Sequence, residues 1–594
     1  MTCSSSTICR PRRLLAALLL LAASASGQGA LADTAEDLIL EAQAFLEEGD
    51  GIAAEAKLRA ALDRGAQRRV VAAAMGEALL AQGNHRRASE WLRTEDFAPQ
   101  TAAQGYFALA RLERAKGNLR KAGSALDKAL AITPENPGLW VEIGRLRYAG
   151  GEHLLAIEAA DRAVALGRDD PAALLLKAQL VRDADGMVPA LAWLERAHAA
   201  APGDIAIMGE LAATQGEAGE ARAMLATTRA MLDRDPGNAR AFYLQAVLAA
   251  RAGNYALARR LLARTGGQLD ALPGKRLLDG IAELGVGNYS LAVAALEPLY
   301  REQPGNRRVR DLLARALFLS GEHRALAERF VDVARGQAGS AYLRTVVGRA
   351  YEQLDRREDA APLLEMSAKR APLAVKPRDG TRLGALLLSG RGDEARALAS
   401  ARLHENPGYY DNLATAGDAA LAMGDGATAA RHYEQAARIR QTESLMQRRF
   451  QALLVAGRTQ DAAYLSRRFL SANPRSPAAI RTAAWLAART GDWPRALVLH
   501  EALARNGQSR DVQLLADLSQ VQLRAGESDA AVETARRAYL LQRANPIAAQ
   551  AWGLALIDAR QAPRLASALL EKARAVMGDN PLLAEARLRL ATIG

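Results

Sequence analysis

Seven histidines and two N-terminal cysteines leave this 594-residue chain little with which to do chemistry. His85, His153 and His323 each stand two residues after a glycine. They lie far apart along the chain and cannot share one metal ion, whose imidazole nitrogens must sit about 2.0–2.1 Å away. Tyr255 and Tyr289 fill the equivalent place elsewhere, so these histidines are expected to pack turns. His500-Glu501 opens a zinc-protease pattern that no second histidine completes. Gly274-Lys275 is followed by Arg276 and lacks the leading glycine of a phosphate loop. Gly285-Val286-Gly287 lacks the third glycine and the preceding strand of a dinucleotide site. There is no Gly-x-Ser-x-Gly elbow. Arg391-Gly392-Asp393 and Asn288-Tyr289-Ser290 match short recognition tripeptides but fall where ordinary turns are expected. No catalytic residue, metal site or cofactor is therefore expected. The residues with binding chemistry are arginines, whose planar guanidinium forks suit carboxylates. Four of them, Arg111, Arg145, Arg315 and Arg349, recur at one position of the pattern described below.

The ends and the overall charge narrow the setting. Arg10, Arg12 and Arg13 precede an apolar run from Leu14 to Ala25, and Ala30-Leu31-Ala32 offers a small-x-small cleavage site before Asp33. That is the layout of a secretory leader, with a core too short to span a bilayer, so residues 1–32 are expected to be removed on export. Cys3 and Cys9 both precede the apolar core, which argues against a lipoprotein anchor and leaves the mature chain without a thiol. No later segment reads as a membrane span. Net charge is +12, but lysine supplies only 9 of the 78 basic residues, and the arginines are spread among acids and alanines. Without a basic run interleaved with aromatics, nucleic acid is not an expected partner.

What positions the arginines is an internal period of 34 residues. Gly49, Gly83, Gly117, Gly151, Gly219, Gly253, Gly287 and Gly321 occupy eight of nine successive slots, and the ninth, Asp185, has Gly186 beside it. Seventeen residues after the glycine slot come Pro134, Pro202, Pro236, Pro304 and Pro372. Five after it stand Ala122, Ala156, Ala190, Ala258, Ala292 and Ala360, and twelve after it Ala129, Ala163 and Ala197. Seven before it stand Ala110, Gly144, Ala178, Ala246, Gly280, Ala314 and Gly348. A two-helix unit explains each slot. Glycine closes the first helix in the left-handed conformation, and the Asp or Asn after it (Asp50, Asn84, Asn118, Asn254, Asn288) is expected to cap the second. Proline stops the second helix, and small residues stand where backbones approach closely.

The unit from Pro137 to Asp170 carries Trp140, Ile143, Gly144, Gly151, Ala156 and Ala163 in the order of the tetratricopeptide repeat family, which the chain resembles. The unit from Ala341 adds Gly348, Tyr351, Ala360, Leu364 and Pro372. The resemblance implies an all-α, right-handed superhelical solenoid of antiparallel helix pairs, the first helix of each lining the concave face. The pattern predicts an array in strict register over residues 33–372, a joint at 373–380, and a less regular array with a capping helix over 381–594. Turn glycines resume there at Gly390, Gly424, Gly457, Gly491 and Gly526, and the last pair, around Arg560, lacks its glycine. About sixteen pairs result, with no room for a catalytic domain.

Six residues before the turn glycine, the concave slot reads Gln43, Glu77, Arg111, Arg145, Gln179, Ala213, Val247, Ile281, Arg315 and Arg349. Two arginine pairs flanking an apolar stretch fit a protein or peptide segment with acidic and apolar residues. The asparagines with which some family members clamp a C-terminal carboxylate are missing. Taken together these features predict a non-enzymatic scaffold in the periplasm, working in an envelope complex. The resemblance points to surface polysaccharide assembly or export, or to exosortase-type sorting. The alternative is a docking subunit for a separate enzyme such as a glycosyltransferase or protease.

Overall fold

The computed structural model describes residues 34–336, 339–368, 382–505 and 510–591. The expected leader (1–32), with both cysteines, and the expected joint (373–380), with Pro372, lie outside them. Among the described residues there are 33 α-helices and no strand, and the chain forms two compact units, one ending at Thr133 and one running from Pro134.

The first unit holds three helix pairs: α1 (Ala35–Glu47) with α2 (Gly51–Asp63), α3 (Arg68–Ala81) with α4 (His85–Leu92), and α5 (Ala102–Ala115) with α6 (Leu119–Ile132). The second unit begins with α7 (Pro137–Ala149), α8 (His153–Leu166), α9 (Pro171–Ala184), α10 (Met187–Ala200), α11 (Ile205–Ala218) and α12 (Ala221–Arg234). It continues through α13 (Ala239–Arg251), α14 (Tyr255–Ala263), α15 (Pro273–Val286), α16 (Tyr289–Glu302), α17 (Arg307–Leu319), α18 (His323–Arg335), α19 (Ala341–Gln353) and α20 (Arg357–Ala368). The remainder comprises α21 (Arg382–Leu388), α22 (Gly392–Glu405), α23 (Tyr410–Ala422), α24 (Gly426–Ile439), α25 (Glu443–Val455), α26 (Thr459–Ala472), α27 (Pro477–Arg489) and α28 (Trp493–Leu503). Last come α29 (Val512–Arg524), α30 (Ser528–Leu541), α31 (Pro546–Asp558), α32 (Pro563–Met577) and α33 (Pro581–Ala591). Sixteen pairs and a closing helix match the number read from the period.

The slots do what the spacing predicts. All eight period glycines have φ between +71° and +91°, the left-handed region that ends a helix cheaply only for glycine. Ala122, Ala156, Ala190, Ala258 and Ala292 are fully buried, as are Ala129, Ala163 and Ala197. Where the first-helix slot is glycine, a side chain would collide: a Cβ on Gly144 would sit 2.8 Å from Leu176, and on Gly280 2.5 Å from Leu296. α7, α9, α27 and α31 each open on a capped proline, with Asn136, Asp170, Ser476 or Asn545 accepting an amide of the first turn.

One expectation fails in two places. Asp50, Asn84 and Asn254 cap their second helices, but Asn118 and Asn288 do not. Their amides donate instead to Glu113 (2.7 Å) and Glu283 (2.6 Å), acids four residues before the turn glycine. A charged acceptor outbids a neutral cap.

Neighbouring pairs also pack first helix on first helix, α3 on α5 in one unit and α7 on α9, α17 on α19 and α29 on α31 in the other. No second helix packs comparably on the next second helix among the described residues. Crowding on one side only bends each stack toward its first helices, and this places the arginine slot on the inner side.

Candidate interaction surfaces

The four arginines sit on first helices, as expected, but most already have acids at hand. In the first unit, Arg111 on α5 donates to Glu77 on α3 (3.4 Å), which also accepts from Gln104 (2.8 Å). In the second unit, Arg145 lies 3.7 Å from Glu142, itself 1% exposed, and Arg349 donates to Glu352 one turn on. Arg315 differs: its Nε is buried with no hydrogen-bond partner among the described residues.

A second ladder escaped the slot reading. Glu210 on α11 accepts from Arg182 on α9 (2.8 Å) and from Arg240 on α13 (2.6 Å), joining three successive first helices. Burial works against its charge, yet the hydrogen bonds from Arg240 and Arg182 prevail and hold the carboxyl below its usual range. Another polar cluster is fully internal. Asp418 on α23 accepts from Arg448 on α25 through both oxygens (2.8 and 2.7 Å) and from the Tyr433 hydroxyl on α24 (2.7 Å). Burial raises the Tyr433 pKa and the Asp418 charge raises it further, so the phenol remains a donor.

The largest departure from a simple repeat is a seam within the second unit, where the chain meets itself eight pairs further along. Three successive turns, after α7, α9 and α11, are each covered by a loop of the later pairs. Over the first, the Tyr409 ring lies so close to Gly151 that a Cβ there would sit 2.6 Å away. His153 stacks on the same ring (5.9 Å between centroids, 17° between planes) and meets Tyr148 edge-on at 5.0 Å. Over the second turn, the Gln441 amide donates to the Asp183 carbonyl (2.7 Å), Arg468 approaches Asp185 (3.4 Å), and Asn473 packs on Gly186. At the third, the Arg475 stem comes within 3.8 Å of a Cβ built on Gly219. By contrast a Cβ added to Gly253, Gly321, Gly390 or Gly424, at equivalent turns, would meet nothing within 4 Å among the described residues.

A cleft of about 540 Å³ opens at this seam, lined by Tyr148, His153, Tyr409, Tyr410, Asp411 and Arg440 among others. The Tyr148 hydroxyl donates to Asp183, and its pKa is pushed up to about 12, first by burial and then by that carboxylate. Burial, and next the Arg440 charge, lower the His153 pKa, with Asp411 and Asp183 opposing. His153 is thus more than the turn-packing residue the sequence implied, although turn packing is part of its role.

Two stretches match family models of the tetratricopeptide repeat, residues 103–136 and 208–268. The chain carries tetratricopeptide repeats. No curated protein matches it. Among solved structures, it is similar to the Cut9–Hcn1 hetero-tetramer of the APC/C, at 14% identity over 94% of this chain and 96% of that one, with a TM-score of 0.37. It is similar to the human IFIT1 dimer with m7Gppp-AAAA at 15% identity, over 69% of this chain and 95% of that one (TM-score 0.35). It is also similar to Pseudomonas aeruginosa pilF at 19% identity, over 36% of this chain and 98% of that one (TM-score 0.32). In this tetratricopeptide array the seam was invisible to a reading by period, because its partners lie some eight units apart. Asp185-Gly186, the one break in the glycine series, falls inside it and was the only local signal.

Proposed function

We propose that this tetratricopeptide repeat protein is a non-enzymatic scaffold of the bacterial envelope that holds acidic and apolar segments of partner proteins against its first helices. Tetratricopeptide repeats mark a protein–protein interaction scaffold, and stacked pairs supply the long continuous surface that such binding uses. The observation that carries the acidic preference is Arg315, whose buried Nε has no hydrogen-bond partner among the described residues. A carboxylate brought by a bound segment would satisfy it, and an unsatisfied buried donor makes that gain large. Arg145 and Arg349 in the second unit, and Arg111 in the first, add donors at the equivalent repeat position, held in place by their glutamates. The leader-like start supports export to the periplasm, where surface polysaccharide assembly or export, or exosortase-type sorting, is the proposed setting.

Crosslinking in cells followed by identification of the captured proteins tests this reading. Wild type is compared with Arg315→Glu and with the double variant Arg111→Glu/Arg145→Glu, alongside fractionation of the tagged chain. Loss of envelope partners in the variants is expected. An identical set of captured proteins would remove the arginine slot from the proposal, and recovery of the chain with the cytoplasm would remove the envelope.

A further inference from the structure

We propose that the seam is a reversible latch: the loops before α23, α25 and α27 dock on the turns after α7, α9 and α11 to close a circuit of eight helix pairs, and they release without unfolding them. Three features carry this. The docking runs in order, the loops before α23, α25 and α27 meeting the turns after α7, α9 and α11, with the loop before α27 also reaching the turn after α9 through Asn473, so the contact belongs to the superhelical path rather than to one chance collision. The sequence is shaped for it. At the middle turn the period glycine is displaced by one residue, Gly186 takes φ +109°, and no side chain of its own unit caps α10. The Asn473 side chain stands there instead, its Oδ1 3.4 Å from the Met187 amide at the start of α10. A Cβ on Gly186 would sit 2.6 Å from that same side chain and 3.0 Å from the Ala472 Cβ, so a glycine here, already favoured by its φ, lets the loop come close.

The third feature is the weakness of each contact. Among the described residues the seam's polar contacts are an exposed ion pair, a single backbone hydrogen bond, a long amide contact and one aromatic stack, beside a polar cleft, with Leu154 against Gly408 and sparse packing of α9 on α24 and α10 on α26. None resembles the alanine- and leucine-filled seams within pairs, and contacts of this kind open at lower cost than a core. Closed, the circuit leaves its inner first-helix face reachable from the ends. Open, that face is reachable from the side as well, so a partner that enters sideways would bind the open state and shift the population toward it.

Glycine provides a matched test in the full chain. Gly151→Ala and Gly253→Ala bear the same left-handed strain, at φ +83° and +77°, but only the first drives a methyl group into the facing loop. Hydrogen exchange is followed in peptides carrying the Gln441 and Met187 amides, with small-angle scattering for overall size. Gly151→Ala is expected to speed exchange at both amides roughly tenfold and to enlarge the radius of gyration, while Gly253→Ala leaves both unchanged. Tyr409→Ala, which removes the stack without backbone strain, is expected to match Gly151→Ala. Indistinguishable exchange and size in all three overturns the latch. So does wild-type exchange at Gln441 that occurs only with global unfolding, because the seam then never opens alone. A scattering mass that doubles with concentration also overturns it, by placing the loops on a second copy.

Discussion

Three turns among the described residues hold residues other than glycine in the left-handed conformation: Glu95 (φ +52°) between α4 and α5, Asp355 (φ +58°) one period beyond Gly321, and Arg560 (φ +52°) with Ala562 (φ +41°) in the last pair. An L-side chain pays roughly 1–2 kcal/mol for that geometry, which Asp tolerates better than Arg, while glycine gives back part of the gain as unfolded-state entropy. Arg560→Gly is therefore expected to stabilise the protein by about 0.5–1 kcal/mol and Asp355→Gly by less, read as a rise in melting temperature. The reverse holds at the small slots. Gly280→Ala places a methyl 2.5 Å from Leu296 and is expected to cost about 1–3 kcal/mol by overpacking. The small slots were legible because burial and close approach recur every 34 residues. The capping failure at Asn118 and Asn288 was not, since it depends on Glu113 and Glu283, acids present in only some units.

Between elements, the polar links run from one pair to the next. Asp418, Tyr433 and Arg448 join α23, α24 and α25, with Asp418 6% and Arg448 4% exposed. Removing one partner leaves the other charge buried and unmatched, so Asp418→Ala is expected to lose about 3–5 kcal/mol in denaturant unfolding. Glu210 behaves differently with acid. Its carboxyl is held below the usual range in the fold, so the unfolded chain takes up a proton first as pH falls. The stability it contributes is complete above its ordinary value of 4.5 and is lost as pH falls through the lower folded value. Melting curves across that acidic range should therefore fall less steeply for Glu210→Gln than for wild type. Neither link was legible in the sequence. Asp418 and Arg448 stand 30 residues apart, and Arg182 and Glu210 stand 28, so both miss the 34-residue beat by which the helices were found.

For the whole molecule, the number of pairs and their order followed from the period. The self-contact did not, because repetition specifies neighbours and says little about units eight pairs away. The seam carries its own pH dependence. Burial, and next the Arg440 charge, depress the His153 pKa, while Asp411 and Asp183 oppose them; the Tyr148 and Tyr409 rings also face the imidazole. The closed state thus favours the neutral imidazole. Its stability is complete above the ordinary value of 6.5 and is lost as pH falls below it toward the depressed one. Exchange at the Gln441 amide should accelerate over that interval in wild type and lose this dependence in His153→Gln.

The approach of Asn473 to Met187 spans 286 positions of sequence, in a molecule whose other bonds mostly join residues within one or two units. Helix pairs fold from near neighbours and can form quickly, whereas this closure must gather two distant stretches against a large loss of chain entropy. Refolding should accordingly proceed in two stages, with helix recovered early and protection of the Met187 and Gln441 amides arriving late. During synthesis, every pair from α11 to α26 must leave the ribosome before the α9–α10 pair acquires this contact.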